Sequence, residues 1–171
     1  MCDLYYEETF THDGAEFRAR YFYDTNMGAP WDEEDGHGPV SGWKHHASGQ
    51  GTKPPKAPGE LILLWDRGSY RTYDFREACR IARRDRWDAP PYKTGTVRER
   101  AARAALADYK RLRAWCNDEW HWCGIVVDIP DTPYEASLWG IESDAGDYFT
   151  EVKADLAEEC LDQIAAQGRA A

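Results

Sequence analysis

The strand-forming segments of this sequence arrive in adjacent pairs joined by tight turns, and this limits the fold more than any other feature. Residues 3–10 and 16–24 are rich in Tyr, Phe and Thr, with His12-Asp13-Gly14 between them. Residues 60–65 and 69–73 flank Asp66-Arg67-Gly68, and residues 120–129 and 136–141 flank the turn at 130–133. Aromatic and β-branched runs around such turns predict hairpins. Strands joined this closely pair antiparallel, because a parallel partner needs a crossover of a dozen or more residues. Asp74 with Glu77, and Thr96 with Glu99, have the spacing of capping boxes. The helices they open are expected to run to about residues 87 and 116. Asp147 caps a last helix to about residue 166, which Gly168 stops. Residues 25–59, rich in Gly and Pro, lack periodicity and read as a long loop. The order ββ, loop, ββ, αα, ββ, α predicts a single α+β domain over 1–171, with a largely antiparallel sheet of about six strands and three helices.

The 171 residues suffice for a real core. The absence of any 18-residue apolar run excludes a transmembrane helix, and Met1–Glu8 has neither the basic nor the apolar region of a secretory signal. The five cysteines (2, 79, 116, 123 and 160) are odd in number and scattered, as expected of reduced thiols in a cytoplasm. Eight Trp, ten Tyr and five Phe supply either an aromatic core or an exposed binding surface.

Charge is segregated along the chain. Residues 1–40 carry net −8, residues 41–113 net +9 and residues 114–171 net −11, for −10 in all. Such a chain either folds its acidic ends over its basic middle or displays separate patches to different partners.

Helical periodicity sorts the charged residues. On the last helix Phe149, Val152, Leu156, Cys160 and Ile164 form a core-facing stripe. Asp147, Glu151, Asp155, Glu158, Glu159 and Asp162 line the other side over roughly 22 Å. That is about one charge per 3.7 Å, near the ~3.4 Å phosphate spacing of a DNA strand. The face is either an ordinary solvated one or a surface aimed at a basic groove on another protein. On the helix after Asp74, Arg76, Arg80, Arg83 and Arg84 share one arc, opposite Phe75, Ala78, Cys79 and Ala82. These arginines either pair with the acidic termini or grip phosphates or an acidic partner. Direct nucleic-acid binding is disfavoured, since net −10 repels a polyanion beyond the patch. On the helix after Thr96, Val97, Ala101, Ala104, Ala105, Leu112 and Trp115 form an apolar face with Asp108 in its middle. A carboxylate buried there needs a partner, with an Arg of the basic middle as the expected one.

No catalytic constellation stands out. Cys116, His121 and Cys123, with His37, His45 or His46, do not have the spacing of a structural zinc site. A Cys–His nucleophile pair among them is equally weak. The zinc-deaminase pattern, the P-loop, GxGxxG and GxSxG are absent. Asn117 and Asp118 are expected to end a helix, and Glu151-Val152-Lys153 matches a nuclease fragment only on a predicted helix. No cofactor is implied.

Four segments carry a resemblance: Asp35-Gly36-His37-Gly38-Pro39-Val40-Ser41-Gly42-Trp43, Asp66-Arg67-Gly68-Ser69-Tyr70-Arg71-Thr72-Tyr73-Asp74, Trp115-Cys116-Asn117-Asp118-Glu119-Trp120, and Ser137-Leu138-Trp139-Gly140-Ile141-Glu142-Ser143. In this order they resemble small proteins encoded by tailed bacteriophages and prophages, over about residues 20–160. The resemblance brings no catalytic residues. It implies an accessory protein of the host-cell cytoplasm that binds and blocks host machinery, such as CRISPR or restriction systems.

The sequence therefore reads as a non-enzymatic inhibitor of a host defence protein or nucleoprotein complex. Glu151, Asp155, Glu158 and Asp162 would steer docking, and Trp31, Trp43 and Tyr92 on loops would be apolar anchors. Arg67, Arg71, Arg76, Arg80 and Arg83 would hold phosphate or an acidic partner. One alternative is a nucleotide-binding sponge or phosphodiesterase-like hydrolase, with Asp66, Asp74, Asp118 or His121 for acid–base work. The other is a nucleic-acid-associated phage protein using the arginine-rich helix.

Overall fold

The computed structural model describes residues 3–46, 54–87 and 94–170. In chain order the elements are β1 (Leu4–His12), β2 (Ala15–Tyr23), α1 (Pro30–Glu33), β3 (Lys44–His45), β4 (Glu60–Asp66), β5 (Ser69–Asp74), α2 (Phe75–Arg84), α3 (Val97–Cys116), β6 (Trp122–Asp128), β7 (Glu135–Glu142) and α4 (Tyr148–Ala170). The fold is α+β, and every strand pairing is antiparallel, as the hairpin reading requires. All three expected hairpins form. The strands divide between two sheets, ordered β1-β2-β6-β7 and β3-β5-β4.

Contacts group the chain into two compact units. One combines residues 1–27 with 120–171, and the other is the intervening stretch 28–119. In the first, alternation along β2 and β6 buries Phe17, Ala19, Tyr21, Cys123, Ile125 and Val127 on one face of the four-stranded sheet. α4 covers that face with Val152, Leu156, Ala157 and Cys160. Arg18 grips Asp128 across the β2–β6 pair, its Nε donating at 3.0 Å. Lys153 of α4 donates to Glu8 at 2.6 Å, holding that carboxyl below its usual range.

Two expectations for α4 change. It runs on through Gly168, and Ile164 is 38% exposed rather than in the core stripe. Apolar pairing on the sheet face ends near Leu161. Gly in a helix costs only about 1 kcal/mol relative to Ala, so a lone Gly168 without left-handed geometry does not stop the backbone. No helix of the described residues is long and apolar enough to cross a membrane.

In the unit 28–119, α2 and α3 pack through small residues. Ala82 meets Ala101 and Ala104, while Ala78 and Ala105 join Leu63, Tyr73 and Leu112. Thr96 and Glu99 make a complete capping box, and α3 ends at Cys116 as expected. At α2, Asp74 accepts from the Glu77 amide, but the Asp74 amide donates to the Pro39 carbonyl and Glu77 pairs with Arg80. The reciprocal half of that box is therefore replaced by a loop contact. α2 stops at Arg84 rather than near Trp87, with Arg86 at φ 57° just beyond its end. Val97, expected on the apolar face of α3, is 53% exposed in the first turn.

Candidate functional site: an arginine groove and a tryptophan stack

The stretch read as a loop is tied down along β5. Ser41 N–H donates to the Thr72 carbonyl at 2.8 Å, Asp74 N–H donates to Pro39, Val40 bridges Tyr73, and β3 pairs with Ser69 and Tyr70. Lys44 Nζ reaches across the sheet to Glu60 at 2.8 Å and Thr72 Oγ1 at 2.9 Å. That ammonium holds the Glu60 carboxyl below its ordinary value.

The anchor of this segment is Asp108. Its Oδ1 accepts from His37 Nδ1 at 2.6 Å, and its Oδ2 accepts from the Gly38 amide at 2.8 Å and the Tyr73 hydroxyl at 2.7 Å. Its side chain is only 10% exposed. The demand for a partner was legible in the sequence, but the partner is not an arginine. A histidine, a backbone amide and a phenol satisfy the carboxylate. Burial and the neighbouring carboxylate push the Tyr73 phenol far above its usual range, so it remains a donor. Asp108, followed by Glu34 with its carboxylate 3.6 Å from Nε2, raises the His37 pKa above its ordinary 6.5.

A pH dependence follows. A folded pKa above the unfolded one contributes stability that is complete below about 6.5 and is lost as pH rises through the raised folded value. Thermal unfolding of the wild type should show that loss above pH 6.5, and His37→Gln should flatten that part of the profile. An unchanged profile in His37→Gln would remove His37 as its source.

This clamp sets two indoles around one guanidinium. Arg71, on β5, lies 5.5 Å from the Trp31 ring centroid and 4.9 Å from that of Trp43. Trp31 meets Trp115 of α3 edge-on at 5.5 Å. Trp43 is 51% exposed, so one outer member of the stack faces solvent. Two residues expected as apolar anchors and one expected to hold anions thus form one cluster. The sequence placed Trp31 and Trp43 on a loop 28 to 40 residues before Arg71, with no periodicity to link them; Trp31 in fact lies in the short helix α1, which Pro30 opens at its first turn. The linking signal was Asp108, whose need for loop donors brings the segment onto β5.

A groove of about 730 Å³ lies along α2 and the start of α3. Pro58, Gly59, Phe75, Cys79, Ala101 and Ala102 form its apolar lining, and Arg76, Arg80, Arg83 and Arg98 its basic part. The first three arginines, at i, i+4 and i+7, lie within about 60° of helical arc. Arg80 pairs with Glu77 at 2.8 Å on its own helix. Arg76, Arg83 and Arg98 form no ion pair with the described residues. A second cavity of about 270 Å³ shares Arg83 and Ala101 and adds Arg86 and Arg100.

The remaining expected residues lie elsewhere. Arg67 is 94% exposed on the β4–β5 turn beside Asp66, 3.8 Å away. The anion-holding set thus separates into turn, stack and groove members. Glu151, Asp155, Glu158 and Asp162 are all exposed on α4, with Glu158 3.9 Å from His12. Tyr92 lies outside the described residues. Asp74 caps α2, Asp118 takes a left-handed turn at φ 59° after α3, and His121 packs on Tyr5 and Tyr23 at 5.3 and 4.5 Å. Cys123 is buried in β6, and burial pushes the Cys116 thiol up to about 11, away from thiolate chemistry. His45 Nδ1 lies 3.1 Å from Ser69 Oγ. Among the described residues no group of three or more His, Cys, Asp or Glu side chains is placed to hold a metal ion.

No family model, no curated protein and no solved structure matches this chain.

Proposed function

We propose that this protein is a phage-encoded accessory protein that acts without chemistry of its own. It binds and blocks a host defence protein or nucleoprotein complex of the anti-CRISPR or anti-restriction type in the host cytoplasm. The observation that supports this reading best is the Trp31–Arg71–Trp43 stack, with Trp43 half in solvent. Tryptophan and arginine dominate the energetic centres of protein interfaces, because each offers a large rigid face together with a polar handle. Among the described residues Arg71 meets two indoles and no carboxylate, so its charge is preorganised and still open to an acidic group on a partner. The exposed carboxylates Glu151, Asp155, Glu158 and Asp162 add long-range steering toward a basic surface, which raises the association rate more than the affinity.

The test is infection of hosts carrying defined CRISPR or restriction systems, with the protein expressed from a plasmid. Wild type should raise phage plating on one such host by at least tenfold. Trp43→Ala, with an unchanged far-UV spectrum, should abolish most of that gain. Charge reversal at Glu151 and Asp155 should slow binding to the purified defence complex several-fold, and the slowing should shrink at high salt. Failure of wild type to alter plating on every defended host would end the proposal.

A further inference from the structure

Independently of that reading, we infer that the α2–α3 groove is a binding site for a polyphosphorylated nucleotide. Three features of the groove point to this ligand class. The first is size: about 730 Å³ lies within the roughly 300–1,000 Å³ of small-molecule sites. The second is the division of its lining. Phe75, Cys79, Ala101 and Ala102 form an apolar patch that suits a planar base, while Arg76, Arg80, Arg83 and Arg98 supply guanidinium forks beside it. The third is charge. Glu77 offsets Arg80, and the other three guanidiniums meet no carboxylate among the described residues.

Three uncompensated like charges around one concavity repel each other, and a compact anion carrying about three or four charges relieves that repulsion. A di- or triphosphate chain concentrates such a charge within a few ångströms, and its oxygens match guanidinium forks bidentately. Carboxylate ligands of the same volume would need three or more acids on one small body. The overall charge of −10 does not oppose this ligand. At physiological salt a small anion in the groove senses charges within roughly 8 Å, and those nearest to it are arginines. A nucleic-acid strand extending beyond the groove would not share that advantage. Small side chains at Gly59, Ala101 and Ala102 leave the cavity unfilled.

The test is calorimetric titration and thermal unfolding of the full chain with ATP and GTP in EDTA at 150 mM salt. Adenosine, AMP and inorganic triphosphate serve as comparison probes. At least one nucleoside triphosphate should bind and raise Tm, more strongly than AMP and at least tenfold more tightly than inorganic triphosphate. Adenosine should give no shift. Arg83→Glu with Arg98→Glu should weaken binding at least tenfold, and Ala102→Trp should do the same by filling the groove, each with an unchanged far-UV spectrum. Trp43→Ala should bind nucleotide like wild type, so loss of the docking activity and loss of this site are separable. Absence of binding by both triphosphates, equal binding of inorganic triphosphate, or full binding by the double arginine variant would overturn the assignment.

Discussion

Asp108→Ala is expected to destabilise the protein by about 3 kcal/mol, the lower end of what breaking a buried charge network costs. The substitution removes the common acceptor of three donors: His37 Nδ1, the Gly38 amide and the Tyr73 hydroxyl. Tyr73 keeps a fallback acceptor in the Ala105 carbonyl at 3.1 Å, whereas the two loop donors lose the acceptor that holds them to α3. The damage therefore concentrates on the segment carrying Trp31 and Trp43. Denaturant unfolding should show the full loss with little change in far-UV signal, since α3 keeps its capping box. The fluorescence of the Trp31–Arg71–Trp43 stack should shift toward solvent-exposed emission. His37 should titrate lower in this variant than in the wild type, and the loss of stability above pH 6.5 should shrink. A variant as stable as wild type, with an unaltered His37 titration, would show that the carboxylate does not hold the loop.

Gly38→Ala is expected to cost a comparable amount, about 3 kcal/mol, for a different reason. A Cβ at this buried position would stand 2.5 Å from Ala78 Cβ and from the Tyr73 ring. Both neighbours sit on packed elements, α2 and β5, and neither is a flexible chain end. The loop must back away, and with it goes the amide bond to Asp108. Overpacking alone costs typically 1–3 kcal/mol, and losing a hydrogen bond to a charged group adds about 1.5–3 kcal/mol. Because both substitutions release the same contact, the Asp108→Ala, Gly38→Ala double variant should lose clearly less than the sum of the two. Additive losses in that cycle would mean that loop and carboxylate are energetically separate.

The sequence was most legible where the determinants are local. The Asp-Gly and Arg-Gly turns fix the first two hairpins, because a positive φ at Asp13, Gly14, Arg67 and Gly68 is a property of a few adjacent residues. The Thr96–Glu99 box sets the start of α3, and the arginine arc of α2 follows from helical angle alone. Asp108 on an apolar face announced a buried polar contact, but a one-dimensional pattern contains no information about which distant donors will arrive. That choice fell to residues 70 positions away in a segment with no periodicity at all.

The chain by itself determined the antiparallel α+β class, the starts of α2, α3 and α4, the apolar stripe of α4 as far as Cys160 and the rows of charge, since periodicity and capping act over a few residues. Tertiary structure alone decided that the strands part into two sheets, that His37 and Gly38 bind Asp108, and that Arg71 lies between two tryptophans. It likewise decided that four arginines of α2 and α3 share one groove. Each of these is a meeting of segments far apart in sequence. Such a meeting is selected by how volume is filled and how every buried donor finds an acceptor, not by the preferences of any one segment.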